Sequence, residues 1–457
     1  MRLQQDPAGS RPGSDGFVRL LARIGCAIII FTALSTLYVD YVSVYYAYYG
    51  FPYLFIPERL GIGLVALSIL TSFVRPNLDD VTSLLATLCH FFFFIPTVVM
   101  FVYAGLFPAI FIWTIIIQAL LILFSRVRFD LAFRGEVPLN VLQVTLVILS
   151  LAGLAIAINA AGIFSLNFNI FEVYDRRAEA NEADLGILGY IMQLGIQAAL
   201  LLITVAFFNR ERFYTLVGFG FAVLYFGYTG HKSILFWAIF LVGLLYLARF
   251  KNKFIYFLMV STVFIGVIAL AMDTELGGSI ANFLIRRTLF TPVLLNQYYV
   301  MFAEQFGYLN WSYSKIGLGI FEYTDTVSPT QAVGHYLTGS DSNSANTGMI
   351  GFGYINAGHF GVAFYVAVFF AILVGGAALA KGKGVEMLGA ALMIRASYFA
   401  VTTADLPATF LSGGLGYALI LLLIYPSRKA VAQPLSNRTG ITRFEGRAPN
   451  SALDPAN

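Results

Sequence analysis

Cysteine, histidine and charge are all scarce in this chain of 457 residues, with 2 cysteines, 4 histidines and only 11% Asp, Glu, Lys and Arg. Cys26 and Cys89 both fall inside apolar runs, which argues against a disulfide framework and against a thiolate metal site. The sequence has no G-x-x-x-x-G-K-[ST] loop, no H-E-x-x-H pair and no paired-Asp spacing that would hold a divalent ion beside a nucleotide-sugar. Neither a bound metal nor a cofactor is therefore expected. The net charge of +4 is spread over loops, so nucleic-acid binding has no support.

Apolar residues fill the space left by charge. Hydrophobic residues make up 59% of the chain and aromatics 16%, with a mean hydropathy of +0.79. That composition lies far outside the range of soluble globular domains. Apolar runs of about 18 to 25 residues recur from Phe17 to Tyr425, each long enough to cross roughly 30 Å of hydrocarbon as a helix. The alternating pattern of barrel strands is missing, so helices are the only way these runs can satisfy their backbone polar groups. The fold class expected is an all-α polytopic membrane protein.

The candidate spans are 17–38, 59–74, 81–104, 107–124, 139–163, 186–208, 213–229, 234–249, 254–272, 352–378, 385–403 and 408–425, about twelve helices with both chain ends on one side. The first run follows a polar stretch without a small-residue cleavage site and reads as a retained helix. Residues 1–16 then form an inner N-terminal tail, residues 17–425 the transmembrane domain, and the polar residues 426–457 a disordered inner tail. No internal repeat and no Gly/Pro-interrupted helix pair of the kind found in transporter halves is visible.

Placing both ends in the cytoplasm collects basic residues in every inner loop, as the positive-inside rule requires. Eight of the 28 lysines and arginines fall elsewhere: Arg59, Arg176, Arg177, Lys232, Arg286, Arg287, Lys315 and Arg395. Two outer connections, 164–184 and 273–347, are much longer than helix linkers need to be, and the second carries an amphipathic stretch from Ile280 to Glu304. Function is expected in these two loops.

Arg176 and Arg177 lie in the first of them, in Tyr174-Asp-Arg-Arg. A guanidinium keeps its charge and presents a rigid fork of donors suited to phosphate oxygens. Pairing with Asp175, Glu179 or Glu182 to close the loop is an equally simple use. Arg286 and Arg287 sit in an amphipathic segment expected at the membrane surface, where snorkelling to lipid headgroups also fits. Two arginine pairs from separate loops point to joint binding of one diphosphate. His335, in Gly334-His-Tyr-Leu-Thr-Gly339, suits a general base or a donor to phosphate, although a lone loop histidine is more often structural. Lys232 ends a hairpin and offers a further phosphate contact. Arg395 falls inside an apolar run and should face a polar cavity or a carboxylate, with Asp405 and Glu304 as candidates. The aromatic stretch from Tyr41 to Tyr53 fits an interfacial belt or a sugar-stacking surface.

The order of these features resembles the superfamily of O-antigen polymerases (Wzy-type) and O-antigen ligases, glycosyltransferases acting on lipid-linked oligosaccharides. The residues carrying the resemblance are Tyr174-Asp-Arg-Arg, Gly230-His-Lys-Ser, Arg286-Arg287 with Pro292 and Tyr298-Tyr299, His335, and the stretch from Asn343 to Gly361. It implies two long periplasmic loops forming a cap over a lipid-accessible cavity in a bacterial inner membrane. It also implies a donor and an acceptor glycan linked to undecaprenyl pyrophosphate, with membrane lipids and a chain-length regulator protein as partners. Carried onto this chain, Arg176, Arg177, Arg286 and Arg287 would hold the diphosphate and His335 would act on the attacking hydroxyl. Lys232, Arg395, Tyr298 and Tyr299 would bind substrate. The arginine pairs and the long second loop favour a polymerase; a ligase would differ in using lipid A core as acceptor. A lipid-linked oligosaccharide flippase or other transporter is the rival from another class, and it should place ionisable residues near the midplane of several helices.

Overall fold

A computed structural model describes residues 14–127, 129–131, 133, 135–162, 165–168, 186–314, 320, 322–323, 327–340 and 343–427. Every regular element among them is helical, and the one β-type pairing is an isolated bridge between Leu54 and Ala104. A helix lies over each of the twelve apolar runs. Among the described residues seven helices are long and apolar enough to cross a membrane, and two shorter apolar helices, Pro108–Phe124 and Lys232–Leu247, accompany them. Several helices start where proline presets the first turn at no hydrogen-bond cost, as at Pro57, Pro108 and Pro329. Asp80 opens another by accepting the Ser83 N–H at 2.9 Å.

Apolar character on all sides decides which helix is central. The span Val81–Tyr103 is 94% buried within the protein, whereas Leu20–Tyr45 and Lys253–Ala271 are each 33% buried and form the rim. Glu386–Thr402 packs beside this axis and is itself almost wholly enclosed. Where Leu139–Ala161 crosses Gly186–Phe208, small residues let the backbones touch, since a Cβ on Gly195 would lie 2.7 Å from the Cα of Gly153. The Tyr225 hydroxyl closes that crossing by donating to the Ser150 carbonyl at 2.8 Å.

The bundle has two unlike ends. At one, Arg75 donates to the Ser125 carbonyl, Arg126 to that of Phe73, Lys253 pairs with Asp79, and Lys381 with Asp130 at 3.1 Å. At the other, Arg59 holds the carbonyls of Phe101 and Leu106 among the long connections. These are called the basic end and the loop end below.

Among the described residues several helices depart from regular winding in ways that the sequence did not suggest, with short π-helical stretches at Leu37–Val42 and His90–Phe94 and three larger departures. Met349–Lys383 bends sharply at Ala357 and Gly358, where Gly358 takes φ +59°. Its first two turns fold back so far that a Cβ on Gly353 would lie 2.7 Å from the Cα of Val362. The last span is interrupted between Leu406–Leu411 and Leu415–Ile424, with Gly414 at φ +104°. An interrupted helix of the kind not visible in the sequence is thus present. Finally, Glu275–Ile280 runs through a π-helical stretch, Ala281–Phe290, into Thr291–Phe306. Among the described residues of the connection 273–347, residues 275–306 and Pro329–Thr338 are helical, and the amphipathic part packs against the bundle through Ala281, Ile285, Leu289 and Phe290.

Candidate functional site

The π-helical stretch sets the direction of Arg286. Its wider turn places Ala281, Ile285, Arg286, Leu289 and Phe290 on the inner side, and Arg286 is only 5% exposed while Arg287 is exposed. Wide π turns of this kind recur at functional positions. The pair read from the sequence as one unit is split by one residue's rotation around the helix.

Arg286 is held from two directions. Its guanidinium carbon sits 4.2 Å from the ring centre of Tyr46 and 5.4 Å from that of Tyr49. Its Nε donates to Asn282 Oδ1 at 2.6 Å, a partner one turn back on its own helix. Among the described residues the two Nη groups have no protein acceptor, and neither is sealed from solvent. What is left is a largely buried guanidinium with a fixed plane, and a fork of this shape suits two oxygens of a phosphate. Lys232 comes to the same segment, its Nζ 4.8 Å from the ring centre of Phe283.

An aromatic wall extends from this point. Gly50, at φ +85°, lets the chain after Tyr49 turn so closely that a Cβ there would lie 2.4 Å from the Tyr298 hydroxyl. The ring of Tyr298 meets that of Tyr336 at 6.2 Å, and Tyr336 in turn meets Phe302 and Phe306. His335 is the neighbour of Tyr336, exposed in the last turn of the helix Pro329–Thr338. It is therefore helical, not in a loop. Ser328 and Gln331 cap each other at that helix's start and Gly339 ends it at φ +70°. The wall thus runs from Tyr298 to Tyr336, and His335 is the next residue to Tyr336 on the same helix.

The other candidates go elsewhere. Arg176 and Arg177 lie outside the described residues. Tyr299 is fully buried, its hydroxyl donating to the Ala345 carbonyl at 2.8 Å, so it joins the core. Arg395 meets neither Asp405 nor Glu304. It donates from Nη1 to Gln197 Oε1 at 2.5 Å, with the Gly413 carbonyl at 3.5 Å, because the interrupted last span brings backbone to it at mid-depth. Glu304 accepts instead from the Tyr354 hydroxyl at 3.2 Å. Asp405 lies between helices, and burial raises its carboxyl to about 6, outweighing the nearby Tyr365 hydroxyl and Leu406 N–H.

Sequence reasoning missed Asn282 and Tyr46 as the partners of Arg286. Asn282 was within reach, since residues four apart on a helix face each other. Tyr46 was inside the aromatic stretch but carried no mark that pointed to Arg286. Among the described residues, no group of three or more His, Cys, Asp and Glu converges. No known family model matches the chain, and neither does any curated protein or solved structure.

Proposed function

We propose that this protein is a metal-independent glycosyltransferase that polymerises oligosaccharide repeat units carried on undecaprenyl pyrophosphate. In this reading all twelve apolar helices cross a bacterial inner membrane, with the basic end in the cytoplasm and the loop end in the periplasm. The observation that carries the proposal is Arg286, a guanidinium locked in plane by Tyr46 and Asn282 whose Nη groups have no protein acceptor among the described residues.

An acceptor sugar hydroxyl attacks the anomeric carbon of the donor chain, forming one glycosidic bond. The bond from that carbon to the diphosphate oxygen breaks, and His335 takes the hydroxyl proton. Negative charge grows on the departing diphosphate, where prepositioned guanidinium groups lower the barrier. Arg176 and Arg177 complete this grip, Lys232 and Arg287 add charge beside it, and the tyrosine wall stacks sugar rings. A chain-length regulator protein binds the same enzyme. The ligase alternative keeps the site and changes only the acceptor.

The interrupted span Leu406–Ile424 with Arg395 beside its break favours a second reading, a transporter of the lipid-linked glycan. Complementation of a polymerase-deficient strain separates these readings. Arg176→Ala, Arg177→Ala, Arg286→Ala, Arg287→Ala and His335→Ala are scored for polymer ladders at matched membrane levels. Single-repeat glycan on lipid A in the variants identifies a polymerase, and loss of all transfer identifies a ligase. Ladders persisting in all five end the catalytic assignment.

A further inference from the structure

Arg210 and Arg249 are set apart from other cations of the basic end by what they do not touch. Arg75 and Arg126 donate to backbone carbonyls there, and Lys253 and Lys381 pair with Asp79 and Asp130. Arg210 and Arg249 follow the C-termini of Gly186–Phe208 and Lys232–Leu247, where carbonyls are at hand. Yet among the described residues neither guanidinium meets a carbonyl or a carboxylate, and both residues are exposed.

Each is nevertheless held in place. Arg210 takes the left-handed region at φ +63°, with its own N–H bonded to the Phe207 carbonyl at 3.2 Å and the Glu211 N–H to that of Ala206 at 2.9 Å. A helix that needed only to stop would put glycine or asparagine here, because this backbone is strained for a longer side chain. Arg249 is held by rings, its guanidinium carbon 5.0 Å from the ring centre of Phe207 and 5.8 Å from that of Tyr246. A ring face occupies the flat side of a guanidinium and leaves its N–H edge for oxygen.

Both arginines line one cavity of about 460 Å³ at the basic end, together with Asn209 and Asp79. Asp79 is already paired with Lys253, so the unbalanced charge of the lining is positive. Its remaining walls are apolar, formed by Phe207, Phe208, Leu245, Ala248 and Met387. The volume is in the range of sites that enclose a small molecule, and a bare phosphate would leave most of it unfilled. Guanidiniums beside an apolar wall, at the ends of apolar helices, are the setting in which a lipid headgroup lies.

We propose that this cavity binds the headgroup of an anionic phospholipid, with the phosphodiester between Arg210 and Arg249 and the first acyl carbons against Phe207, Phe208 and Leu245. The lipid joins the end of Gly186–Phe208 to that of Lys232–Leu247, and its site holds whether or not the polymerase reading does.

The test uses the purified full chain in detergent, stripped of lipid and melted with added phosphatidylglycerol, with phosphatidylethanolamine and with inorganic phosphate. The expected result is a saturable rise in melting temperature with phosphatidylglycerol, on the order of 3 °C, a much smaller one with phosphatidylethanolamine and none with phosphate. Arg210→Gln combined with Arg249→Gln should weaken phosphatidylglycerol binding roughly 30-fold. Arg212→Gln combined with Lys251→Gln removes cations of the same two loops that do not line the cavity, and should change it much less. Equal rises with both lipids, a response that the first pair of substitutions leaves intact, or one that the second pair removes equally well overturns the site. A rise with phosphate alone assigns the cavity to a soluble anion and overturns the lipid. Native mass spectra of the unmodified protein need no variant: phosphatidylglycerol adducts should survive where phosphatidylethanolamine is lost, and equal retention of the two ends the proposal.

Discussion

Arg286 lies over the face of Tyr46 with 4.2 Å between guanidinium carbon and ring centre, and these residues come from segments 240 positions apart. A cation on a ring face is worth roughly 0.5 to 2 kcal/mol, more where water is excluded. The contact also fixes the plane of the fork, which a lysine could not reproduce because an ammonium is a point charge. Tyr46→Phe should keep most polymerising activity, since the face is retained. Tyr46→Ala should lower it by roughly 2- to 30-fold, the range that stacking energy converts to. Arg286→Lys should lose on the order of 10²-fold, as when one stabilising donor is removed from a transition state. Membrane preparations given lipid-linked repeat units measure all three, and wild-type rates in Arg286→Lys would remove the fork from the mechanism.

Lys383 closes the far end of the same bundle. It is 1% exposed and donates to the carbonyls of Gly135, Leu423 and Tyr425 at 3.0, 2.8 and 2.6 Å, serving as a cap for the last helix. Lys383→Met keeps the length of the side chain and leaves the buried Tyr425 carbonyl, with the part-buried carbonyls of Gly135 and Leu423, without this donor. A buried unsatisfied group costs about 1 to 3 kcal/mol, so a loss of that order is expected. Thermal melting in detergent should show the loss, while the rate per folded molecule stays unchanged because the loop end is not touched.

The twelve helical segments were legible because length and apolarity alone determine them. Arg286 stood out for a related reason, being a basic residue outside the short loops where most of the others collect. Its environment was not legible, since π winding has no sequence signature and Tyr46 is distant along the chain. The bend at Gly358 and the break at Gly413 and Gly414 were hidden among the glycines that membrane helices commonly contain. Only tertiary approach distinguishes them. For Arg395 the charge was visible and the need for a polar partner correct, but Gln197, on a helix about 200 residues earlier, could not be chosen over the nearer Asp405.

The fold-back in Met349–Lys383 gives a sharp test of that last point. A Cβ on Gly361 would lie 2.0 Å from the carbonyl oxygen of Gly353, whereas one on Gly375 in the same helix meets nothing within 4 Å. Gly361→Ala must open the bend and with it the contacts of Asn356, whose Oδ1 accepts the Trp311 N–H and whose carbonyl accepts that of Asn310. A loss of about 2 kcal/mol or more is expected, against a gain of up to about 1 kcal/mol for Gly375→Ala from helix propensity. Melting curves of the two variants compare the same chemical change in two surroundings. Equal effects would mean that the bend tolerates a methyl group and is not set by this contact.

Asp405 links stability to pH. It faces Tyr365 on Met349–Lys383 and Tyr299 on Thr291–Phe306, with no cation paired to it among the described residues, and burial raises its carboxyl from 3.8 to about 6. A raised carboxyl means that the folded state favours the protonated acid. Its contribution is therefore fully present below about pH 4 and is lost as pH rises through about 6. At pH 7 the carboxylate costs roughly 3 kcal/mol relative to a neutral group of the same shape. Asp405→Asn should accordingly melt higher than the unmodified protein at pH 7, with the difference shrinking through pH 6 to 5 and vanishing near pH 4. A gap that stayed constant with pH would show that the introduced amide acts through packing and that the carboxyl of Asp405 titrates as it does in water.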